Sequence, residues 1–154
     1  MSLESDVRLL QRVPMLSEFT EDKLRLLAFS AENRSYRSGQ RLFSAGDRAD
    51  SGFVVVSGEV AIHPAGRDDV VIETVGEAGL IGELSMIVEG ERATTAVAVG
   101  DVAVIQIRRP LFRRMLDEYP EVAERLRGRV AERLVRTTGE LGAVKRRLDA
   151  IEGG

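Results

Sequence analysis

The chain has 154 residues, of which 44% are hydrophobic and 31% charged, and these values are typical of one globular domain. The absence of cysteine excludes disulfides and zinc–thiolate sites, and the single histidine, His63, leaves too few imidazoles for most catalytic zinc or iron sites. The 22 basic and 25 acidic residues give a net charge of −3, so we expect no broad basic surface for nucleic acid. The composition therefore favours a binding protein over an enzyme.

The hydropathy pattern also bears on compartment. No stretch approaches the ~20 apolar residues of a membrane span. The first residues lack a basic region followed by an apolar run, which is the mark of a secretory signal. We therefore expect a cytoplasmic protein with no membrane span.

Residues 1–30 predict two short helices. An apolar stripe that includes Leu10 and Val13 ends at Pro14, which breaks a helix. Thr20 is a predicted N-cap of the second helix, because acidic residues follow it in the first turn. Both helices are too short to be stable alone, so we expect them to pack on the residues that follow.

Residues 31–108 predict a β-domain. Short runs rich in β-branched residues alternate with glycine-containing turns, and this spacing is typical of a sandwich, a jelly roll or a barrel. His63 precedes Pro64 and is predicted to lie in an exposed turn with no special role. The predicted strands are Gln40–Phe43, Phe53–Ser57, Val60–Ile62, Val70–Val75, Thr94–Val99 and Val102–Ile107.

Residues 109–118 predict a short helix, and residues 119–151 predict a long one. From Leu134 onward the apolar positions recur in steps of three and four, which is a heptad pattern. About 30 residues of helix span roughly 45 Å, which is longer than a small β-domain needs to cover its core. The pattern favours a homodimer formed through a parallel helix pair. The alternative is an amphipathic helix that folds back on the sheet.

The segment from Gly82 to Thr95 combines residues suited to a ribose phosphate. A glycine before a short helix lets the exposed backbone N–H groups approach an anion. Arg92 adds a charged fork to the same anion, and Glu83 accepts a hydrogen bond from a sugar hydroxyl. The alternative interpretation is an internal Glu83–Arg92 ion pair.

This segment resembles the phosphate-binding cassette of the cyclic nucleotide-binding domain family, as found in catabolite activator protein and protein kinase A regulatory subunits. Gly82-Glu83-Leu84-Ser85 is similar to the cassette's opening, and Arg92-Ala93-Thr94-Thr95 is similar to its close. Over about residues 9–150, further stretches resemble the family's turns and strands in the correct order. These are Leu10–Leu16, Ser44–Asp47, Phe53–Val60 and Gly79–Gly82.

The resemblance implies an antiparallel β-roll, jelly-roll-like, with N-terminal helices and a long C-terminal helix. Residues 1–30 are then the N-terminal helical segment, 31–118 the nucleotide-binding β-roll and 119–151 a dimerisation and lid helix. Glu83 would hold the ribose 2′-hydroxyl and Arg92 the cyclic phosphate. The other implied ligand-binding residues are Gly82, Leu84, Ser85, Ala93 and Thr94, with Ile72 and Val75 as an apolar wall.

The resemblance also bears on the base. Ala93 stands where cGMP-selective members carry a threonine, so cAMP is the expected ligand and cGMP is less favoured. Thr137 and Thr138 match a pair that meets adenine in catabolite activator protein, with one residue from each subunit, and Arg133 matches an arginine near the ligand there. The alternative for each threonine is a hydroxyl bonded to its own helix.

These features predict a cAMP-sensing regulatory domain, not an enzyme, in which the ligand biases movement of the C-terminal helix. No cofactor, metal or nucleic-acid partner is expected within this chain. One alternative is the sensor half of a catabolite-activator-type transcription regulator without its helix-turn-helix. Another is a regulatory module of a channel or kinase. A metal-dependent cupin-like enzyme is disfavoured by the single histidine.

Overall fold

The computed structural model describes residues 2–125 and Gly128. The chain divides into two compact units, residues 1–118 and residues 119–154. In the second unit, residues 120–125 are helical. The predicted heptad seam and homodimer helix, with Arg133, Thr137 and Thr138, lie outside the described residues.

Two helices open the first unit. Helix α1 spans Leu3–Gln11, and helix α2 spans Glu21–Ser30. The hydroxyl of Thr20 accepts a hydrogen bond from the amide of Lys23 at 3.4 Å, so the predicted N-cap is confirmed. The two helices pack on each other, and Leu10 of α1 and Leu27 of α2 are both fully buried.

Most of the unit is antiparallel sheet. The strands are β1 Glu32–Tyr36, β2 Arg41–Phe43, β3 Arg48–Ala49, β4 Ser51–Pro64, β5 Glu73–Val75, β6 Leu80–Ile81, β7 Gly90–Glu91 and β8 Thr94–Arg108. A 3-10 helix, Glu83–Met86, separates β6 from β7, and helix α3, Arg109–Glu118, follows β8. The larger sheet has the order β1-β8-β4-β5, with β2 also paired to β8 and β6 to β4. Strands β3 and β7 form a separate two-stranded ribbon.

The long β4–β8 ladder is the centre of this arrangement. It runs from the pair Ser51–Arg108 to the pair Pro64–Thr94, and its register shifts near Gly58. Gly58 has φ +86°, and a Cβ there would lie 2.4 Å from the carbonyl oxygen of Asp101. Only glycine fits this bulge, which bends the ladder without ending it.

The sequence predicted four of the eight strands in the described part of the chain, β2, β4, β5 and β8, but misjudged their continuity. The predicted pairs of strands on either side of Gly58 and of Gly100 are single long strands, because backbone pairing continues through the bends. Of the predicted strand Val70–Val75, only Glu73–Val75 pairs with β4. Strand β1 was not predicted, because its sequence is almost entirely polar and its pairing with β8 is made by the backbone.

The predicted exposed position of His63 was wrong. The residue is buried on β4, and its Nδ1 lies 2.7 Å from the carbonyl oxygen of Val70. The loop after β4 turns back over the strand, which is why a histidine beside Pro64 is not exposed.

A cluster of buried apolar side chains from the larger sheet forms a hydrophobic core. Val75 packs against it from β5. The cluster consists of Phe43, Phe53, Val55, Val60, Ile62, Ile81, Ala96, Ala98, Val102 and Val104. Two of its aromatic rings, those of Phe43 and Phe53, lie against the guanidinium of Arg92.

Candidate functional site

Arg92 occupies the junction between β7 and β8. Its amide donates to the carbonyl of Asp47 at 2.7 Å, and its own carbonyl accepts from the amide of Gly46 at 2.8 Å. The Gly46-Asp47 turn, which connects β2 to β3, therefore fixes the backbone of Arg92. Gly46 has φ +91°, so the turn depends on glycine.

The guanidinium of Arg92 is held by neutral oxygens. The side chain is 7% exposed. Nη1 donates to Ser85 Oγ at 3.1 Å, and Nη2 donates to Ser51 Oγ at 3.4 Å. Nε is buried and has no acceptor among the described residues. The cation therefore keeps a free donor and a charge that no contacting carboxylate neutralises in the described part of the chain.

Aromatic rings lie beneath this cation. The guanidinium carbon of Arg92 is 4.2 Å from the ring centroid of Phe43 and 5.6 Å from that of Phe53. Cation–π contact orients the guanidinium without removing its hydrogen-bond donors. Burial lowers the pKa of Arg92, while Asp50 and Asp47 act in the opposite direction. An arginine stays protonated in proteins, so burial makes this charge costly until an anion meets it.

Gly82 lies close to the guanidinium of Arg92. It adopts the left-handed conformation, with φ +73° and ψ +37°, and precedes the 3-10 helix. A Cβ at this position would lie 2.6 Å from Nη1 of Arg92 and 3.3 Å from the carbonyl oxygen of Ser51. Both the backbone conformation and the space therefore require glycine.

The three residues after Gly82 form the start of the 3-10 helix. Glu83 is half-buried, and its Oε1 atom is enclosed. Leu84 is also half-buried, and its carbonyl accepts from the amides of Ile87 and Val88. The amide of Ser85 donates to the carbonyl of Gly82 at 3.0 Å, so this predicted phosphate donor is engaged within the turn.

The remaining predicted residues divide into two groups. Ala93 is exposed and Thr94 half-buried beside Arg92 at the start of β8. Val75 packs against the apolar cluster that carries Phe43 and Phe53. Ile72 is 56% exposed, and its amide donates to the carbonyl of Ile62 at 2.7 Å. The structure thus places Val75 against the cluster whose rings contact Arg92 and leaves Ile72 on the surface.

Sequence reasoning missed Ser51, which accepts a hydrogen bond from Arg92, and Gln106, which donates one to Ser51. Ser51 is fully buried, and its hydroxyl also accepts from Nε2 of Gln106 at 2.8 Å and donates to Oδ1 of Asp50 at 3.0 Å. A serine and a glutamine 55 positions apart carry no motif. The sequence signal that existed was Gln106 inside the predicted strand Val102–Ile107, since a buried polar side chain needs a partner.

The cassette is also seated by close packing on β4. A Cβ on Gly52 would lie 2.9 Å from side-chain atoms of Met86 and 3.3 Å from the carbonyl oxygen of Gly82. Met86 is fully buried. The absence of a side chain at Gly52 therefore lets the 3-10 helix sit directly on the strand.

The described residues contain no group of three or more histidine, aspartate and glutamate side chains arranged to hold a metal ion. No helix in the same part of the chain is both long enough and apolar enough to cross a membrane.

The antiparallel sheet holds a buried arginine beside a left-handed glycine, an arrangement suited to a small anionic ligand. Comparison with known proteins agrees with this interpretation. A family model described as "Cyclic nucleotide-binding domain" matches residues 33–119, which is more than half of the chain. The chain therefore belongs to the cyclic nucleotide-binding domain family, a family of regulatory ligand-binding domains and not of enzymes.

Individual relatives support the same family. The chain is 30% identical over 106 residues to the CRP-like cAMP-activated global transcriptional regulator of Mycobacterium tuberculosis, covering 67% of this chain and 47% of that protein. A cyclic nucleotide-binding-like protein from Brucella abortus has 39% identity and a TM-score of 0.64, with 73% of this chain and 97% of that one covered.

A third comparison concerns the fold. The catabolite activator protein of Thermus thermophilus has 27% identity and a TM-score of 0.70, with 86% of this chain and 63% of that one covered. The predicted β-roll is thereby confirmed. The chain spans about half the length of the transcriptional regulator from Mycobacterium tuberculosis.

Proposed function

We propose that this domain binds cAMP and transmits its presence as a change in the C-terminal helix. The observation that carries the proposal is Arg92, a buried cation with a free Nε donor and no carboxylate in contact among the described residues. A cyclic phosphate supplies the missing negative charge and acceptor oxygens. Membership of the cyclic nucleotide-binding family supports the same ligand class.

Glu83 is the proposed contact for the ribose of the ligand. Glu83 follows Gly82 directly and starts the 3-10 helix, with one carboxylate oxygen enclosed. A carboxylate accepts a hydrogen bond from the ribose 2′-hydroxyl but repels the phosphate, so Glu83 orients the ligand with its sugar edge toward the helix. Gly82, Leu84 and the start of β8 at Ala93 and Thr94 complete the proposed cradle.

Base preference rests on Ala93 and on the C-terminal helix. Ala93 has no hydroxyl to meet the guanine amino group, so cAMP is favoured over cGMP. Arg133, Thr137 and Thr138 are proposed to cover the base, with Thr138 supplied by the second copy of a homodimer. Ile72 and Val75 are proposed to contact the sugar and base.

The test is calorimetric titration of the purified protein with cAMP, cGMP and 5′-AMP. We expect saturable binding of cAMP, weaker binding of cGMP and little heat from the acyclic nucleotide. Absence of any heat at millimolar cAMP contradicts the ligand assignment. Ala93→Thr is expected to raise cGMP affinity, and Ala93→Val is its matched control because it adds bulk without a hydroxyl.

The dimer and its threonines need a separate experiment. Light scattering at the titration concentration is expected to give twice the chain mass. Thr138→Val is then expected to weaken cAMP binding while the dimer persists, whereas a monomer that binds cAMP with full affinity contradicts a role for Thr138 from the second copy.

One alternative output is transcription regulation. The chain resembles a cAMP-activated transcriptional regulator, and we propose as this alternative that it is the sensor part of such a regulator. We propose a cytoplasmic regulatory role in either case. The genomic sequence downstream of residue 154 tests this alternative, because a helix-turn-helix encoded there identifies a transcription regulator.

A further inference from the structure

Arg109, the first residue of α3, donates hydrogen bonds to three carbonyl groups in three segments of the chain. Its Nη1 donates to the carbonyl oxygens of Ala49 at 3.2 Å, Ser85 at 3.3 Å and Val88 at 3.0 Å. Its backbone amide also donates to the carbonyl of Asp50 at 2.9 Å. Since Nη1 carries two hydrogens, the three acceptors share them. Arg109 thus joins β3, the 3-10 helix and the turn that follows it.

A second arginine of the same helix acts on the same segment. Nη2 of Arg113 donates to the carbonyl of Ile87 at 3.1 Å. The last carbonyls of a helix have no partner within the helix, and here two α3 guanidinium groups supply donors to Ser85, Ile87 and Val88. The C-terminal end of the cassette helix is therefore held by α3.

Ser85 connects this arrangement to the anion site. Its hydroxyl accepts from Nη1 of Arg92 at 3.1 Å, and its carbonyl accepts from Nη1 of Arg109 at 3.3 Å. One residue thus carries a hydrogen bond from the arginine of the site and another from the arginine of α3. These two hydrogen bonds form a continuous path from α3 through Ser85 to Arg92.

We propose that Arg109 is a positioning residue of the anion site, acting through Ser85, and that it links occupancy of the site to the position of α3. The assignment rests on the proposed function for its ligand, but the clamp itself is a property of the ligand-free protein. Loss of the guanidinium leaves the Ser85 and Val88 carbonyls without these donors. The cassette then samples more conformations, and Arg92 loses its fixed partner.

The first experiment needs no ligand. Amide hydrogen exchange is compared between the wild-type protein, Arg109→Gln and Arg114→Gln. Arg114 is an exposed residue of the same helix, and no hydrogen bond or ion pair to the cassette is found for it among the described residues. We expect exchange at residues 84–88 to be about tenfold faster in Arg109→Gln and unchanged in Arg114→Gln. Equal exchange in all three proteins overturns the proposal.

The second experiment measures cAMP affinity and its transmission. Arg109→Gln is expected to weaken cAMP binding about tenfold, because part of the binding free energy is then used to order the cassette, with Arg114→Gln unchanged. In the wild-type protein cAMP is expected to slow exchange in both the cassette and residues 109–118. In Arg109→Gln the slowing is expected to be confined to the cassette, and slowing in both segments overturns the link to α3.

A conservative variant covers the case in which Arg109→Gln fails to fold. Arg109→Lys retains the charge but replaces a planar fork with one ammonium, so we expect intermediate exchange and affinity. Wild-type behaviour of Arg109→Lys together with misfolding of Arg109→Gln makes Arg109 a stability residue and overturns the proposal. If the wild-type protein binds no cAMP, the proposed function fails, and the ligand-free exchange still decides the role of Arg109.

Discussion

The guanidinium of Arg92 lies where a side chain on Gly82, ten positions earlier in the chain, would have to be. A Cβ on Gly82 would lie 2.6 Å from Nη1 of Arg92, and the guanidinium fills the volume that the glycine leaves empty. The two ends of the cassette are thus matched to each other, and a change at one end displaces the other.

Gly82→Ala is expected to abolish high-affinity cAMP binding. Alanine in the left-handed conformation costs about 1–2 kcal/mol of folding free energy, and its methyl group displaces the guanidinium of Arg92. Gly66→Ala is the matched control, because Gly66 has φ +72° and open space around it. Thermal unfolding and calorimetry are to be measured for both. Comparable destabilisation with loss of affinity only in Gly82→Ala is the expected result, and full affinity in Gly82→Ala contradicts the expected displacement of the guanidinium.

Arg92→Met is expected to separate binding from stability. Methionine retains apolar contact with the rings of Phe43 and Phe53 but removes a buried charge whose pKa is lowered by burial. We expect no detectable cAMP binding and a thermal midpoint at least as high as that of the wild-type protein. A large fall in the midpoint would show that Arg92 stabilises the ligand-free fold.

Glu83→Gln is expected to reduce affinity for cAMP and to leave affinity for 2′-deoxy-cAMP nearly unchanged. A charged hydrogen bond contributes about 1.5–3 kcal/mol, so the first loss is about tenfold or more. The two ligands and two proteins form a double-mutant cycle, measured by calorimetry. Equal losses for both ligands would mean that Glu83 does not contact the 2′-hydroxyl.

Ser51→Ala is expected to destabilise the protein by about 1–3 kcal/mol, because it leaves the buried amide of Gln106 without its acceptor. The double variant Ser51→Ala/Gln106→Leu is expected to regain part of that loss, since neither polar partner remains. Ser35→Ala, on exposed strand β1, serves as the control. Denaturant unfolding gives all the values, and a neutral Ser51→Ala would refute the network.

Asp6 is expected to make stability fall as the pH rises. This residue on α1 is 6% exposed, and burial raises the pKa of its carboxyl above its ordinary value. The folded protein therefore keeps this proton at a pH where the unfolded chain has lost it. The stabilisation is fully present below the unfolded pKa, near 3.8, and is lost as the pH rises through the folded pKa.

Asp6→Asn removes this titration. We expect the variant to be more stable than the wild-type protein at neutral pH and to show a flatter profile above pH 4, as measured by urea unfolding. Asp117→Asn, an exposed substitution on α3, is the control. A wild-type slope retained in Asp6→Asn would assign the pH dependence to another group.

The helix starts and the longer apolar strands were readable from the sequence because they depend on local chemistry. Thr20 marks a helix start through its own hydroxyl, and runs of β-branched residues mark strands. Strand β1 was not readable, since its polar residues are held by backbone pairing with β8. The burial of His63 was missed for a related reason, because it depends on a loop that returns over β4.

The cassette part of the candidate site could be proposed from the sequence, because the residues from Gly82 to Arg92 lie within one short segment. What surrounds Arg92 could be seen only in the folded chain. The β4–β8 register brings Ser51 near Gln106, and the fold sets Phe43 beneath the guanidinium and Arg109 behind Ser85. Those contacts join residues far apart in the chain, and local pattern does not encode which strands pair or which surfaces pack.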